Sequence, residues 1–217
     1  MLANIYMHNV LTLWFQYIIA KECKGECFLV VYADDFIAGF QYPWEAERFY
    51  EQLRSRMAKF GLELEENKSR IVESGRYLAS LKAKRGESTR LGTFDFLGFT
   101  FYCGRTTKGN PWIMPKTSSK KFRQKVKEIK IWLYNNKEQK LGKLMYMLNV
   151  KLVGHYRYYG ISFNSRMISN YKQQVRELLY KVLNRRSEKK SYTREGFIEM
   201  MKYYKLVNPK IYYSLFC

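Results

Sequence analysis

Residues 28–40 read Phe-Leu-Val-Val-Tyr-Ala-Asp-Asp-Phe-Ile-Ala-Gly-Phe. Two apolar runs rich in β-branched and aromatic residues, Phe28–Tyr32 and Phe36–Phe40, flank the acidic pair Asp34-Asp35. Runs of this composition favour strands, and Ala33-Asp34-Asp35 between them predicts a tight hairpin turn. Adjacent carboxylates repel each other and each is costly to desolvate, so burying them without a cation is unfavourable. Two readings follow. Either the acids face water as ordinary turn residues, or the hairpin presents both to a divalent cation. Mg²⁺ suits that role, being a hard ion that takes carboxylate oxygens and keeps positions open for phosphates.

The whole chain of 217 residues is long enough to bury a core in one or two domains. An apolar content of 47% with 17% aromatic residues argues against disorder. A formal charge of +20 calls for a polyanionic partner, nucleic acid before anionic membrane. The charge is uneven: residues 1–110 carry fifteen Lys/Arg against thirteen Asp/Glu, a net of +2, and residues 111–217 carry twenty-four against six, a net of +18. The acidic hairpin therefore sits in a nearly neutral half, followed by a strongly basic one. Cys23, Cys27, Cys103, Cys217, His8 and His155 lack the paired spacing of a zinc site and read as incidental, with the thiols in a reducing compartment. No apolar run approaches membrane-spanning length and Met1–Ala20 lacks a basic leader. The expectation is a soluble, cytoplasmic chain with no membrane partner.

Around the central stretch, Leu2, Ile5, Tyr6, Val10, Leu13, Trp14, Tyr17 and Ile18 recur with a helical period, predicting an amphipathic helix over 2–20. Pro43 suits a helix first turn, Ala46, Phe49, Tyr50, Leu53 and Met57 supply its apolar stripe, and Gly61 its left-handed stop. Leu62–Leu64 and Ile71-Val72 alternate like short strands around a polar loop holding Lys68, and residues 74–92 read as a loop. Thr93–Phe101 alternates as a strand, with Gly98 marking a bend or a close backbone approach, and Lys108–Pro111 reads as a turn. From Thr117 onward the pattern is of basic helices. The first is capped by Ser118 or Ser119 and built on Phe122, Val126, Ile129, Trp132 and Leu133; the second spans about 140–152 and ends at the Tyr-rich turn Gly154–Gly160. A third follows Asn164-Ser165, a short fourth follows Thr193, and the tail after Asn208 reads as irregular. Trp132, Tyr156, Tyr158 and Tyr159, interleaved with the basic residues, suit either a core or stacking on unpaired bases.

The string Tyr32-Ala33-Asp34-Asp35 between two hydrophobic strands resembles the metal-binding hairpin of reverse transcriptases, and Phe28–Phe36 as a whole resembles the group II intron branch. Residues 61–71 resemble the family's next palm motif, and Phe94–Phe99 resembles the Phe-x-Phe-Leu-Gly-Phe motif that closes the palm and grips the primer. Residues 116–123, 152–160 and 183–193 resemble the maturase-specific region, called domain X or the thumb. The resemblance implies an α+β fold. A partial reverse transcriptase palm over 1–114, antiparallel strands with helices on one side, is followed by an all-α thumb/maturase helical bundle over 115–217.

That family copies RNA into DNA by two-metal phosphoryl transfer, which implies Mg²⁺ as cofactor. Asp34 is then the bridging metal ligand and Asp35 the weaker one, with Lys68 near the incoming nucleotide. Tyr32 and Ala33 abut the primer end, and Phe96, Leu97 and Gly98 lie along the primer strand. Implied partners are group II intron RNA, an RNA template with DNA primer, and a missing N-terminal fingers/palm segment. Intron RNA is expected on Lys116, Lys120, Lys121, Arg123, Lys127, Lys130, Arg157, Arg166, Arg176, Arg185 and Arg186. The chain departs from the family in carrying Asn67-Lys68-Ser69 where Glu-Lys-Thr is commoner. The first palm aspartate and the fingers are also missing. These residues alone are therefore expected to polymerise little, and the alternative is a non-catalytic RNA-binding maturase module.

Overall fold

The computed structural model describes residues 2–65, 69–86, 91–185 and 192–215. The architecture is α+β, and the chain divides into two units, Met1–Glu73 and Ser74–Cys217.

The first unit opens with a continuous helical run: α1 (Leu2–Met7), π-helical turns over His8–Thr12 and Phe15–Ile19, and α2 (Ala20–Glu22). A helix is what the apolar period predicts, but its buried face is different. Val10, Leu11, Trp14, Phe15 and Ile19 form core, while Ile5, Tyr6, Tyr17 and Ile18 are exposed. A π turn takes up more residues than an α turn, which shifts the phase and brings Leu11, Phe15 and Ile19 into line. Strands β1 (Cys27–Tyr32) and β2 (Asp35–Phe40) pair antiparallel, from Cys27 opposite Phe40 to Tyr32 opposite Asp35. Their inner face, Cys27, Leu29, Val31, Phe36, Ala38 and Phe40, packs on the helical run and on Phe49, Leu53 and Met57 of α3 (Pro43–Lys59).

Pro43 occupies the first turn of α3 as expected. At the other end Gly61 has φ +65°, the Gly61 N–H donates to the Ala58 carbonyl and the Leu62 N–H to that of Met57, a Schellman stop. Residues 62–65 and 69–75 form no strand, against the expectation from their alternation. Leu62 and Leu64 rest on the first unit's core. Glu45, only 1% exposed, accepts from the Lys24 N–H at 2.6 Å and the Gly25 N–H at 3.3 Å, which ties the α2–β1 loop to α3.

In the second unit, residues 76–84 are helical (α4, Arg76–Lys84), where the sequence suggested a loop. The charges there mask a short packing face: Ala79 is buried, and the Arg76 guanidinium lies 4.6 Å from the centroid of the Trp112 ring. Three antiparallel strands follow in the order β3 (Phe94–Phe96), β4 (Phe99–Arg105), β5 (Pro111–Thr117). The strand predicted over 93–101 is thus a hairpin folded at Leu97-Gly98. Strand β5 was not anticipated, because Pro111 and Pro115 argue against one. It is the sheet edge, where a missing N–H need not break a ladder bond.

Four helices complete the unit: α5 (Ser119–Asn135), α6 (Leu141–Tyr159), α7 (Ser165–Leu183) and α8 (Arg194–Tyr203). Ser118 caps α5, its hydroxyl accepting from the Lys121 N–H at 3.3 Å. Their core centres on Leu133, Leu144, Leu148, Leu152, Val175 and Leu179. Helix α6 does not end near Leu152 but runs through Gly154 to Tyr159. Burial of His155, Tyr156 and Tyr159 outweighs the roughly 1 kcal/mol that a mid-helix glycine costs. The fully buried Asn164 joins sheet to bundle: its carbonyl oxygen accepts from the Thr117 N–H, and its amide donates to the Thr117 hydroxyl and the Tyr159 carbonyl, each at 2.8 Å.

Candidate functional site

The β1–β2 connection consists of two residues, Ala33 and Asp34, closed by the Tyr32–Asp35 pair. Ala33 has φ +55°, a conformation that costs an L-residue about 1–2 kcal/mol. The tight turns whose twist matches antiparallel strands need a positive φ at this place. Asp34 is therefore the turn residue, and Asp35 already belongs to β2, opposite Tyr32. Strand alternation sends Phe28, Val30 and Tyr32 away from the core, with exposures of 58%, 47% and 62%. The Phe28 ring crosses onto β2, where a Cβ on Gly39 would stand 2.2 Å from it.

Both Asp34 and Asp35 are exposed, and neither carboxylate has a hydrogen-bond or ion-pair partner among the described residues. Two adjacent carboxylates without a compensating group form a hard oxygen donor set that fits Mg²⁺. Among the described residues no group of three or more His, Cys, Asp or Glu comes together to hold a metal. Asp95 accepts from the Thr100 hydroxyl across β3–β4. Lys68 lies outside the described residues.

The second predicted element, Phe96-Leu97-Gly98, sits at the β3–β4 turn. Leu97 (φ +48°) and Gly98 (φ +80°) both take left-handed backbone, as a type I′ turn requires. The leucine at such a position is held by its surroundings. Its carbonyl accepts from the Tyr158 hydroxyl at 3.0 Å, and the Gly98 carbonyl accepts from the Ser118 N–H at 2.9 Å. A Cβ on Gly98 would meet the Tyr159 hydroxyl at 3.2 Å. Tyr158 also stacks on Phe99, centroids 6.0 Å apart. Sequence reasoning missed Tyr158 and Ser118 as supports of this turn, since no local pattern marks contacts made across 61 residues by Tyr158 to Leu97 and across 20 by Ser118 to Gly98.

On α5, Lys120, Arg123, Lys127 and Lys130 recur at spacings of three and four and share one exposed face. Lys121 is exposed beside the Leu97-Gly98 turn, and Lys116 lies 5.0 Å over the Tyr102 ring. Arg157 on α6 and Arg166 and Arg176 on α7 are exposed; Arg185 lies over the Tyr134 ring and donates to its hydroxyl. Arg186 lies outside the described residues. Four acids of this unit pair with other cations: Glu128 with Lys125, Glu138 with Lys137, Glu177 with Arg194 and Glu199 with Lys202. The Lys125 ammonium accordingly holds the Glu128 carboxyl below its ordinary range. None of the described RNA-facing cations forms a salt bridge with a described carboxylate, although the Lys121 charge also helps to lower the Glu128 carboxyl.

The Tyr-rich segment is split in its roles. Tyr156 and Tyr159 are buried and serve as core, and burial pushes their hydroxyls above the ordinary range. His155 stacks on Tyr171 at 3.7 Å between centroids, and burial pulls its pKa down to about 4, helped by the Lys125 charge. Trp132 is half-buried, with the Lys151 ammonium 5.0 Å over its ring.

Residues 1–101 match the family described as reverse transcriptase (RNA-dependent DNA polymerase), and residues 119–204 match the group II intron maturase-specific domain. The chain belongs to the group II intron reverse transcriptase/maturase family. No curated protein and no solved structure gives a match. In this reverse transcriptase/maturase the first match ends within β4 and the second begins with the first residue of α5. Sheet β3–β5, which carries the Leu97-Gly98 turn, packs with the maturase helices in the second unit. Among the described residues no helix is long and apolar enough to cross a membrane.

Proposed function

We propose that the β1–β2 hairpin is the metal-holding element of RNA-directed DNA synthesis, and that the basic helices bind group II intron RNA to assist its splicing. The observation that carries this reading is the two-residue turn that leaves Asp34 and Asp35 exposed side by side without a cationic partner among the described residues. Asp34 at the tip is the stronger Mg²⁺ ligand, and Asp35, in register with Tyr32, is the weaker. A metal held by these two carboxylates would supply Lewis acidity toward a primer hydroxyl and compensating charge for a transferred phosphoryl group. Tyr32 and Ala33 border the primer end, the Phe96-Leu97-Gly98 turn backs the primer strand, and Lys68 meets the nucleotide phosphates. The functional division falls at 114/115, with the exposed cations of α5, α6 and α7 as the intron-RNA surface.

Mn²⁺ titration followed by electron paramagnetic resonance tests the metal assignment on the full chain. Asp34→Asn should weaken Mn²⁺ binding at least about tenfold and Asp35→Asn less, since each removes one charged ligand. Unchanged Mn²⁺ affinity in both variants would overturn the assignment.

A second reading, RNA binding without catalysis, is favoured by the two carboxylates of the hairpin being joined by no third metal-binding side chain among the described residues. Two-metal chemistry in this family draws on a further palm aspartate. Primer extension by the 217-residue chain with Mg²⁺ is therefore expected at background. Synthesis that disappears in Asp34→Asn would exclude the binding-only reading.

A further inference from the structure

Helix α6 turns a straight stripe away from the bundle core. Lys143, Tyr146, Val150, Gly154 and Arg157 follow one another at spacings of three and four, so all five fall on one face. The core-facing residues Leu144, Leu148, Leu152, His155 and Tyr159 lie on the opposite one. All five stripe residues are exposed, Tyr146 at 72% and Val150 at 56%. None has a side-chain hydrogen-bond, ion-pair or ring partner among the described residues. Helix α6 carries no acidic residue.

The glycine decides the reading. Gly154 sits in the interior of a long helix, where glycine is destabilising relative to alanine. Its backbone is in the right-handed region, so no turn demands it. A Cβ at Gly154 would meet nothing of the chain within 4 Å, so no internal packing demands it either. What remains is a close approach to the helix backbone from outside, between an apolar Val150 and a cationic Arg157.

We propose that the stripe from Lys143 to Arg157 is a docking face for an A-form RNA helix, with the α6 backbone at Gly154 nearest the RNA. This rests on the RNA-binding reading above and names the form of RNA and the place. The stripe is about 21 Å long at the helical rise, with cations at both ends for phosphates and small or flat groups at the centre. That arrangement matches the wide, shallow minor groove of A-form RNA, where recognition runs through shape, sugar 2′-hydroxyls and flanking phosphates. B-form DNA takes a helix in its major groove, where binding is read through hydrogen-bonding side chains at base edges, and Val150 and Gly154 at the centre of the stripe supply none. A single-stranded segment would call for several exposed rings to stack on, and the stripe has one. The basic surplus of residues 111–217 supplies the matching charge.

The test is fluorescence anisotropy of the full chain with a double-stranded RNA of about 16 base pairs, the same strand unpaired, and the DNA duplex of that sequence. Gly154→Leu adds bulk with a good helix former, so the fold should hold and the thermal midpoint should stay or rise. The expected result is a loss of double-stranded RNA affinity of at least about tenfold, with Tyr146→Ala losing less and single-stranded binding nearly unchanged. Wild type that binds neither RNA would overturn the RNA-binding reading itself. Wild type that binds double-stranded RNA, with Gly154→Leu equal to it and a Lys120→Glu/Lys127→Glu variant weakened, would overturn the α6 proposal alone. So would a Gly154→Leu effect confined to single-stranded RNA, or one seen only in self-association by light scattering.

Discussion

His155 is nine-tenths buried, stacked on Tyr171 and flanked by Tyr159, and its pKa is held down at about 4 by burial and by the charge of Lys125. In the unfolded chain a histidine titrates near ~6.5. The folded pKa lies below the unfolded one, so the unfolded state binds the extra proton first. The stability due to the neutral ring is fully present above pH ~6.5 and drains away as pH falls toward 4, by up to about 3 kcal/mol. Urea titrations between pH 7 and 4 should show this slope in the wild type, and His155→Phe, which keeps the stack, should flatten it. Equal slopes in the two proteins would contradict the assignment. Asp34-Asp35 was legible from sequence because its signal is local: two acids between two strand-forming runs. Glu45, Tyr158 and Asn164 were not, since their partners lie 21, 61 and 47 residues away.

The connection after α6 is a second structural dependency, and it involves the C-terminal tail. The Gly160 carbonyl accepts from the Tyr212 N–H at 2.7 Å and the Tyr213 N–H at 3.1 Å, and the Ser162 N–H donates to the Tyr213 carbonyl at 3.0 Å. A Cβ on Gly160 would lie 2.3 Å from the Tyr156 carbonyl oxygen and 2.5 Å from that of Lys210. Gly160→Ala must therefore move backbone. It should cost about 2–3 kcal/mol and speed hydrogen exchange at the Tyr212 amide at least about tenfold. Unchanged exchange there would show that the tail is held elsewhere.

The same elements show where periodicity suffices and where it fails. The hairpin, α3, α5, α7 and α8 were readable from apolar spacing and from cap or stop residues such as Pro43, Gly61, Ser118 and Thr193. Strand β5 was hidden by prolines that an edge tolerates, and the end of α6 by a glycine that buried aromatics override. The π turns rotated a correctly expected first helix onto another face. Each miss is a case of tertiary context prevailing over a local rule.

The molecule as a whole is defined by its charge. Of the net +20, all but +2 resides in residues 111–217. Four acids of the second unit pair with Lys125, Lys137, Arg194 and Lys202, and the α5 stripe and Arg166 and Arg176 of α7 form no salt bridge among the described residues. Such a surplus repels itself unless a polyanion is present. Reversing Lys120 and Lys127 together to Glu should therefore weaken RNA binding at least about tenfold while leaving the thermal midpoint unchanged or raised, because local repulsion falls.

Affinity of the full chain for a folded group II intron RNA, measured from low to physiological salt, probes the RNA-binding surface most directly. Each phosphate neutralised contributes roughly −0.7 to −0.9 to the slope of log affinity against log salt, so five or more contacts give a slope of about −4 or steeper. That slope, reduced by about one to two in the Lys120→Glu/Lys127→Glu variant, is the predicted result. A flat dependence, or weak binding insensitive to those two lysines, would contradict it.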